Sequence, residues 1–161
     1  MTPDEILSEF GIEQPSEIDI EAIAHHFGAT VVYERLDGCE ARVIGVGDRA
    51  FISVNPRPNN RGRERFSAAH ELGHWLRDRA HVTCTEKAIA KGWSSGREMR
   101  ANRFAQGLLM PVAMFQTRAR GHGATLSAVR ELAGDFQASM TATAIRLVEH
   151  GAVPAAVACY T

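Results

Sequence analysis

The sequence predicts an α+β fold, in which amphipathic helices precede a small group of strands and further helices follow it. Two patterns support this class. β-Branched and aromatic residues concentrate in residues 30–54, and apolar residues recur at spacings of three and four on both sides. The chain has 161 residues, 45% of them hydrophobic and 23% charged, which is an ordinary globular balance. This length can bury one core, so we expect a single domain spanning residues 1–161.

The first half of the chain predicts two helices and three strands. The helices cover residues 4–11 and 18–27, and Gly28 is suited to end the second. Runs of β-branched or aromatic residues follow, separated by Gly or Asp as in hairpin-linked strands: Thr30–Arg35, Ala41–Val46 and Ala50–Val54. We therefore expect a small, mostly antiparallel sheet, and then a loop at residues 55–60, which contain two prolines and three asparagines.

The second half is predicted to be mostly helical. A helix over Arg61–Arg79 has one apolar face, formed by Phe66, Ala69, Gly73 and Leu76. Residues 80–95 are less regular. Further helices are predicted over residues 97–109, 112–118, 127–136 and 141–150, with a break at Gly121-His122-Gly123. The tail at 155–160 is apolar and is predicted to be extended. The native chain could continue beyond residue 161.

Charge and cysteine content narrow the function classes. The formal net charge is −1 and the pI is near 6.7, so no global field attracts nucleic acid or an anionic membrane. The three cysteines, Cys39, Cys84 and Cys159, are an odd number and widely spaced, which disfavours a disulfide framework. The sequence shows neither a secretory signal nor an apolar stretch of the ~18 residues that a membrane span needs. We expect a soluble cytoplasmic protein with no membrane partner.

The segment His70-Glu71-Leu72-Gly73-His74 carries the clearest chemical signal. His70 and His74 are four residues apart in a predicted helix, so both imidazoles lie on one face and can bind one tetrahedral metal ion. Glu71 projects beside them, where a carboxylate can accept a proton from a water molecule. This His-Glu-x-x-His pattern is typical of zinc peptidases.

A catalytic zinc site needs a third protein ligand, and Glu98 is the favoured candidate. It lies on a second predicted helix, far enough after His74 for the chain to turn back and pack. Asn102 is one turn further along, where its side-chain oxygen can accept the free ring N–H of a ligating histidine. Other candidates are His81, Cys84 and Glu86. The first does not fit the metzincin spacing, and the other two lie in the irregular segment.

Two stretches of the chain resemble a known family. Residues 65–75, Arg-Phe-Ser-Ala-Ala-His-Glu-Leu-Gly-His-Trp, are similar to the active-site helix of the ImmA/IrrE metallo-endopeptidases. Residues 98–111, from Glu98 to Met110-Pro111, resemble the second signature of that family. The helix at 18–24 and the strand at 51–55 are also similar, and the resemblance covers roughly residues 15–150.

The resemblance implies a zincin-like, gluzincin-type zinc endopeptidase. Its ligands would be His70, His74 and Glu98, and its catalytic base Glu71. Manganese or iron can replace zinc in a site of mixed nitrogen and oxygen ligands. Family members cleave helix-turn-helix repressors of the Xre type, which switches on prophage, other mobile-element or stress genes. We therefore expect a protein substrate and a role in transcription regulation.

Two details of substrate handling stay open at this stage. Several residues are candidates for stabilising the oxyanion: the arginines, Tyr33, His25, His26 and His81. The strand Ala50–Val54 can offer its edge to an extended substrate, so that main-chain pairing holds the peptide in register.

Two other functions compete with hydrolysis. The helices at 127–150 are loosely like a helix-turn-helix. The glycine usual in such a turn is absent, with Gln137 near its position, and the second helix carries only Arg146, so direct DNA binding is disfavoured. The other alternative is a catalytically silent, antitoxin-like interaction protein, which would not need Glu71. Two arginine clusters are interpreted as solvated faces, one of which could hold an acidic partner: Arg57, Arg61, Arg63 and Arg65, and Arg97, Arg100 and Arg103.

Overall fold

The computed structural model describes residues 1–57, 60–78, 96–151 and 156, and the fold of this part of the chain is of the α+β class. A 3₁₀ turn, Pro15–Glu17, separates the first two helices. The helices are α1 (Pro3–Glu9), α2 (Ile20–His26), α3 (Arg61–Asp78), α4 (Gly96–Leu109), α5 (Val112–Ala119), α6 (Leu126–Asp135) and α7 (Met140–His150). The strands are β1 (Ala29–Tyr33), β2 (Ala41–Val46) and β3 (Arg49–Val54). None of the described helices is both long and apolar enough to cross a membrane.

Most element bounds agree with the sequence prediction within two residues. The helix expected over residues 18–27 begins two residues late, at Ile20, because the Asp19 side chain caps it by accepting the N–H of Ala22 at 3.0 Å. The irregular segment 80–95 lies outside the described residues, as does the tail 155–160 apart from Ala156.

The sheet differs from the predicted one in its strand order. β3 is the central strand, paired in parallel with β1 and antiparallel with β2, so the three-stranded sheet is mixed and the expectation of a mostly antiparallel sheet was wrong. β2 and β3 form the expected hairpin, but the chain between β1 and β2 crosses to the far side of β3. β3 therefore has no free edge, and the hypothesis that Ala50–Val54 pairs with a substrate is wrong. The outer edges belong to β1 and β2.

Helix α3 lies between the sheet and α4, and residues 68–75 are buried on every side. Ala68, Leu72 and Trp75 belong to the same core as the sheet residues, while Gly73 contacts α4. The Trp75 indole donates to the Phe27 carbonyl at 2.8 Å, which fixes α3 against the end of α2. The prediction of a single apolar face was therefore incomplete, because the sheet covers one side of the helix and α4 covers another.

The C-terminal helices α5, α6 and α7 form a second, smaller core around Phe115, Leu132 and Phe136. Arg146 of α7 is buried and donates to the Met110 carbonyl, with Nη2 at 2.6 Å and Nε at 3.0 Å. This contact holds α7 against the end of α4. Charge-assisted hydrogen bonds of this kind are among the stronger ones in proteins.

Candidate metal centre

Three side chains from two helices converge at the middle of the fold. His70 and His74 project from α3, one turn apart, and their Nε2 atoms are 3.1 Å from each other. Glu98, in the first turn of α4, places one carboxylate oxygen 3.2 Å from His70 Nε2 and the other 3.3 Å from His74 Nε2. The structure thus brings together the three residues that the sequence predicted as ligands.

The spacing of these atoms fits a tetrahedral metal ion. Zinc bonds to histidine and carboxylate are about 2.0–2.2 Å long, so neighbouring ligand atoms of a tetrahedron lie about 3.3–3.5 Å apart. The two Nε2 atoms are 3.1 Å apart, and the Glu98 carboxylate places one oxygen 3.2 Å from His70 and its other oxygen 3.3 Å from His74, separations close to that edge length. Two nitrogen ligands and one carboxylate leave the fourth position for water or substrate.

The hydrogen bond of His70 supports the presence of a cation. Its Nδ1 donates to the Asn102 side-chain oxygen at 2.9 Å, so in the neutral ring Nε2 carries a lone pair. That lone pair faces a carboxylate oxygen of Glu98 at 3.2 Å, and two acceptors at this distance repel each other. A cation between them satisfies both. Burial, and next the neighbouring His74, lower the pKa of His70, which favours the neutral ring that binds metal.

Glu71 and Asn102 complete the predicted set. Glu71 lies between the two histidines in sequence and is only 1% exposed, so its carboxylate is held inside the protein. Asn102 lies one turn after Glu98 on α4 and is exposed, with its side chain turned onto His70. This is the hydrogen bond expected from the sequence.

A close approach of α3 and α4 sets the position of Glu98. A Cβ built on Gly73 would lie 2.9 Å from Cδ1 of the Phe104 ring, nearer than side chains normally approach. Phe104 is 2% exposed, so the ring has little room to move. Glycine therefore lets the two helices come close enough for one carboxylate to face both histidines.

Gly73→Ala is expected to push these helices apart. Overpacking of this kind costs typically about 1–3 kcal/mol of unfolding free energy, and the shift should also weaken metal affinity. Chemical denaturation and metal titration would measure both effects. Gly134→Ala in α6 is the matched control, because its Cβ meets nothing within 4 Å and should stabilise the protein by about 0.5–1 kcal/mol. Equal stability changes in the two variants would contradict the close-approach argument.

The sequence interpretation missed the structural role of Arg65. It was placed among solvated arginines, but it is 6% exposed and donates to the Ile18 carbonyl at 3.0 Å and to the Gln137 side chain at 3.2 Å. Gln137 has a φ of 48°, in the left-handed region that favours glycine. Arg65 thus ties the α6–α7 turn to the site helix. Its spacing of seven residues from Leu72, on a buried face, was the available signal.

Tyr33 and His26, two of the predicted oxyanion candidates, make their described contacts with residues outside the cluster. Tyr33 donates to Glu21, and the Arg61 guanidinium lies over its ring at 5.1 Å. Burial, and then that hydrogen bond, raise the pKa of Tyr33 to about 12. His26 contacts Glu9 at 3.0 Å, and His25 is exposed on the same helix. The alternatives His81, Cys84 and Glu86 lie outside the described residues.

Fold and site together define a class of protein. A helix with His-Glu-x-x-His, facing a carboxylate from the next helix of an α+β domain, is an arrangement of metallopeptidases. The family model Peptidase_M78, described as the IrrE N-terminal-like domain, matches residues 17–148, and the chain belongs to this family. This result confirms the resemblance seen in the sequence. Comparison with curated proteins finds no match.

Proposed function

We propose that this protein is a zinc-dependent endopeptidase of zincin-like, gluzincin type, acting as a single domain in the cytoplasm. The observation that carries the proposal is the convergence of His70, His74 and Glu98 in a chain of a peptidase family, with the two Nε2 atoms 3.1 Å apart and a Glu98 oxygen 3.2–3.3 Å from each of them. His70, His74 and Glu98 would hold the ion. Manganese or iron could take its place, since availability often decides among mixed nitrogen and oxygen sites.

The chemistry divides between the ion and Glu71. When bound, the ion would polarise the scissile carbonyl and lower the pKa of a water molecule to about 7. Glu71 would take the proton of the attacking water and deliver it to the nitrogen of the leaving amine. Its burial excludes competing solvent and holds the carboxylate in place. Because Glu71 lies on the same helix as His70 and His74, the base and these two ligands keep a constant separation.

Asn102 would orient His70 rather than bind the ion. Its oxygen accepts the Nδ1 proton at 2.9 Å, which leaves Nε2 free for the metal. Asn102→Ala is expected to weaken metal affinity about 10- to 100-fold, the usual effect of losing such a partner. Competition with a zinc-binding dye would measure the change. Asn102→Asp should retain more affinity because it restores the acceptor, and equal losses in both variants would contradict the orienting role.

The proposed substrate is a helix-turn-helix repressor of the Xre type, and its cleavage would relieve repression of mobile-element or stress genes. The test incubates the zinc-loaded protein with such repressors from the same genome and identifies new termini by mass spectrometry. Cleavage that disappears with a chelator and in Glu71→Gln supports the proposal. Intact repressors, together with cleavage of unfolded casein, would reject the substrate and retain the peptidase.

The competing DNA-binding function has less support from the described contacts. Arg146, the single arginine of α7, is directed at the Met110 carbonyl and is 6% exposed, so it is not available to phosphate. The turn before α7 is held against α3 through Gln137 and Arg65. A catalytically silent regulator remains the alternative. It is distinguished by Glu71→Gln, which would leave the function of such a protein unchanged.

A further inference from the structure

The two arginine clusters of the sequence have different surroundings in the fold. In the first cluster, Arg57 and Arg63 pair with Glu40, at 2.6 and 2.5 Å, and Arg61 pairs with Glu21 at 2.8 Å. Arg57, Arg61 and Arg63 therefore each have a carboxylate partner within the protein, and Arg65 is buried.

In the second cluster Arg97 has a partner of its own, whereas Arg100 and Arg103 have none within the described residues. Arg100 and Arg103 of α4 meet Arg77 of α3 around a cavity of about 270 Å³, which we call the arginine cavity. Phe104 and Pro3 complete its described lining. Within the described part of the chain, none of the three guanidinium groups makes an ion pair or hydrogen bond.

Three unpartnered guanidinium groups around one cavity favour an anion. Each offers a planar set of N–H donors that matches a carboxylate, and their mutual repulsion is relieved when a negative charge lies among them. Most other described arginines have their own partners: Arg42, Arg57, Arg61, Arg63, Arg65, Arg97, Arg118 and Arg146.

The arginine cavity is close to the metal centre but on the other flank of α4. Successive residues of an α-helix are about 100° apart, so Arg100 and Arg103 lie roughly opposite Glu98 and Asn102. A helix with its side chains is about 10–12 Å across, which an extended peptide covers in about three to four residues. A peptide bound at the metal centre can therefore reach the cavity by crossing the first turns of α4.

We propose that the arginine cavity binds an aspartate or glutamate side chain of the protein substrate, about three to four residues from the scissile bond. This inference rests on the proposed peptidase function and adds a charge preference to it. The near-neutral net charge of the chain argues against a long polyanion as the occupant, because such a ligand needs a field wider than one cavity.

Binding can be tested without turnover, on the zinc-loaded Glu71→Gln protein. The probes are two fluorescent Gly-Ser peptides of equal length, one with a central pair of glutamates and one with glutamines. Fluorescence anisotropy should show binding of the glutamate peptide about tenfold tighter, as one charged hydrogen bond provides. The double variant Arg100→Gln with Arg103→Gln should abolish this difference. The control Arg120→Gln with Arg130→Gln removes the same charge from exposed positions elsewhere and should retain it.

Several other outcomes would overturn the proposal. Equal affinity for the two peptides, or the same loss in both double variants, overturns it. Inorganic phosphate that binds as tightly as the glutamate peptide would indicate a free-anion site and would also overturn it. Unchanged thermal unfolding of the Arg100→Gln with Arg103→Gln variant excludes misfolding as the cause of its loss. A failure of the peptidase proposal would be seen separately, as absence of cleavage by the wild-type protein.

Discussion

Glu71→Gln is expected to lower kcat for peptide hydrolysis by about 10²- to 10⁴-fold, the usual contribution of a positioned general base. The amide has nearly the same shape as the carboxylate but cannot accept the proton of the attacking water. Because Glu71 is not one of the three converging ligands, metal content should stay at about one ion per chain. Steady-state kinetics and elemental analysis of one preparation would measure both quantities.

The matched control for this variant is Glu131→Gln, which removes a carboxylate from an exposed position on α6. It should leave kcat within error of the wild-type value. A Glu71→Gln protein that retains full activity would refute the assignment of the base. Loss of the metal in this variant would instead show that Glu71 supports the ion, and the mechanism would need another base.

His74→Ala is expected to abolish both metal binding and activity. Its Nε2 is 3.1 Å from His70 and 3.3 Å from Glu98, and the imidazole is 1% exposed, so no solvent group can replace it readily. Elemental analysis should fall from about one ion per chain to near zero. Glu98→Ala should have the same effect, because a two-histidine site lacks the third ligand.

Metal binding should also contribute to stability. A ligand that binds only the folded state at 100 times its dissociation constant adds about 2.7 kcal/mol to the free energy of unfolding. A chelator should therefore lower the melting temperature of the wild-type protein and leave that of His74→Ala unchanged. The exposed His25→Ala variant is the control and should respond like wild type. A chelator effect of equal size in His74→Ala would place the stabilising metal elsewhere.

The element boundaries were largely predictable because helix caps, strand composition and breaking residues act locally. α3 begins at Arg61, as expected after the proline-containing loop, and β2 has the predicted bounds Ala41–Val46. The strand order was not predictable in the same way. β1 pairs with β3 although β2 lies between them in the sequence, and such non-local pairing depends on burial against α3 rather than on a turn signal.

In the candidate site, too, some residues were predictable from local spacing and others depend on tertiary contacts. His70, Glu71 and His74 were identified from spacing alone, since residues one turn apart on a helix share a face wherever the helix lies. Glu98 was favoured over the other candidates by its place on a second predicted helix and by the family resemblance. Its position opposite both histidines depends on the contact between Gly73 and Phe104.

The sequence by itself determined the class of fold, the two histidines with their neighbouring glutamate, and the family. Only the tertiary structure decided that β3 is central, that Arg65 is buried, and that Arg100 and Arg103 share a cavity with Arg77. The reason is physical. Local geometry follows from the covalent chain and its hydrogen bonds, whereas the burial and the contacts of a charged side chain depend on which distant element packs against it.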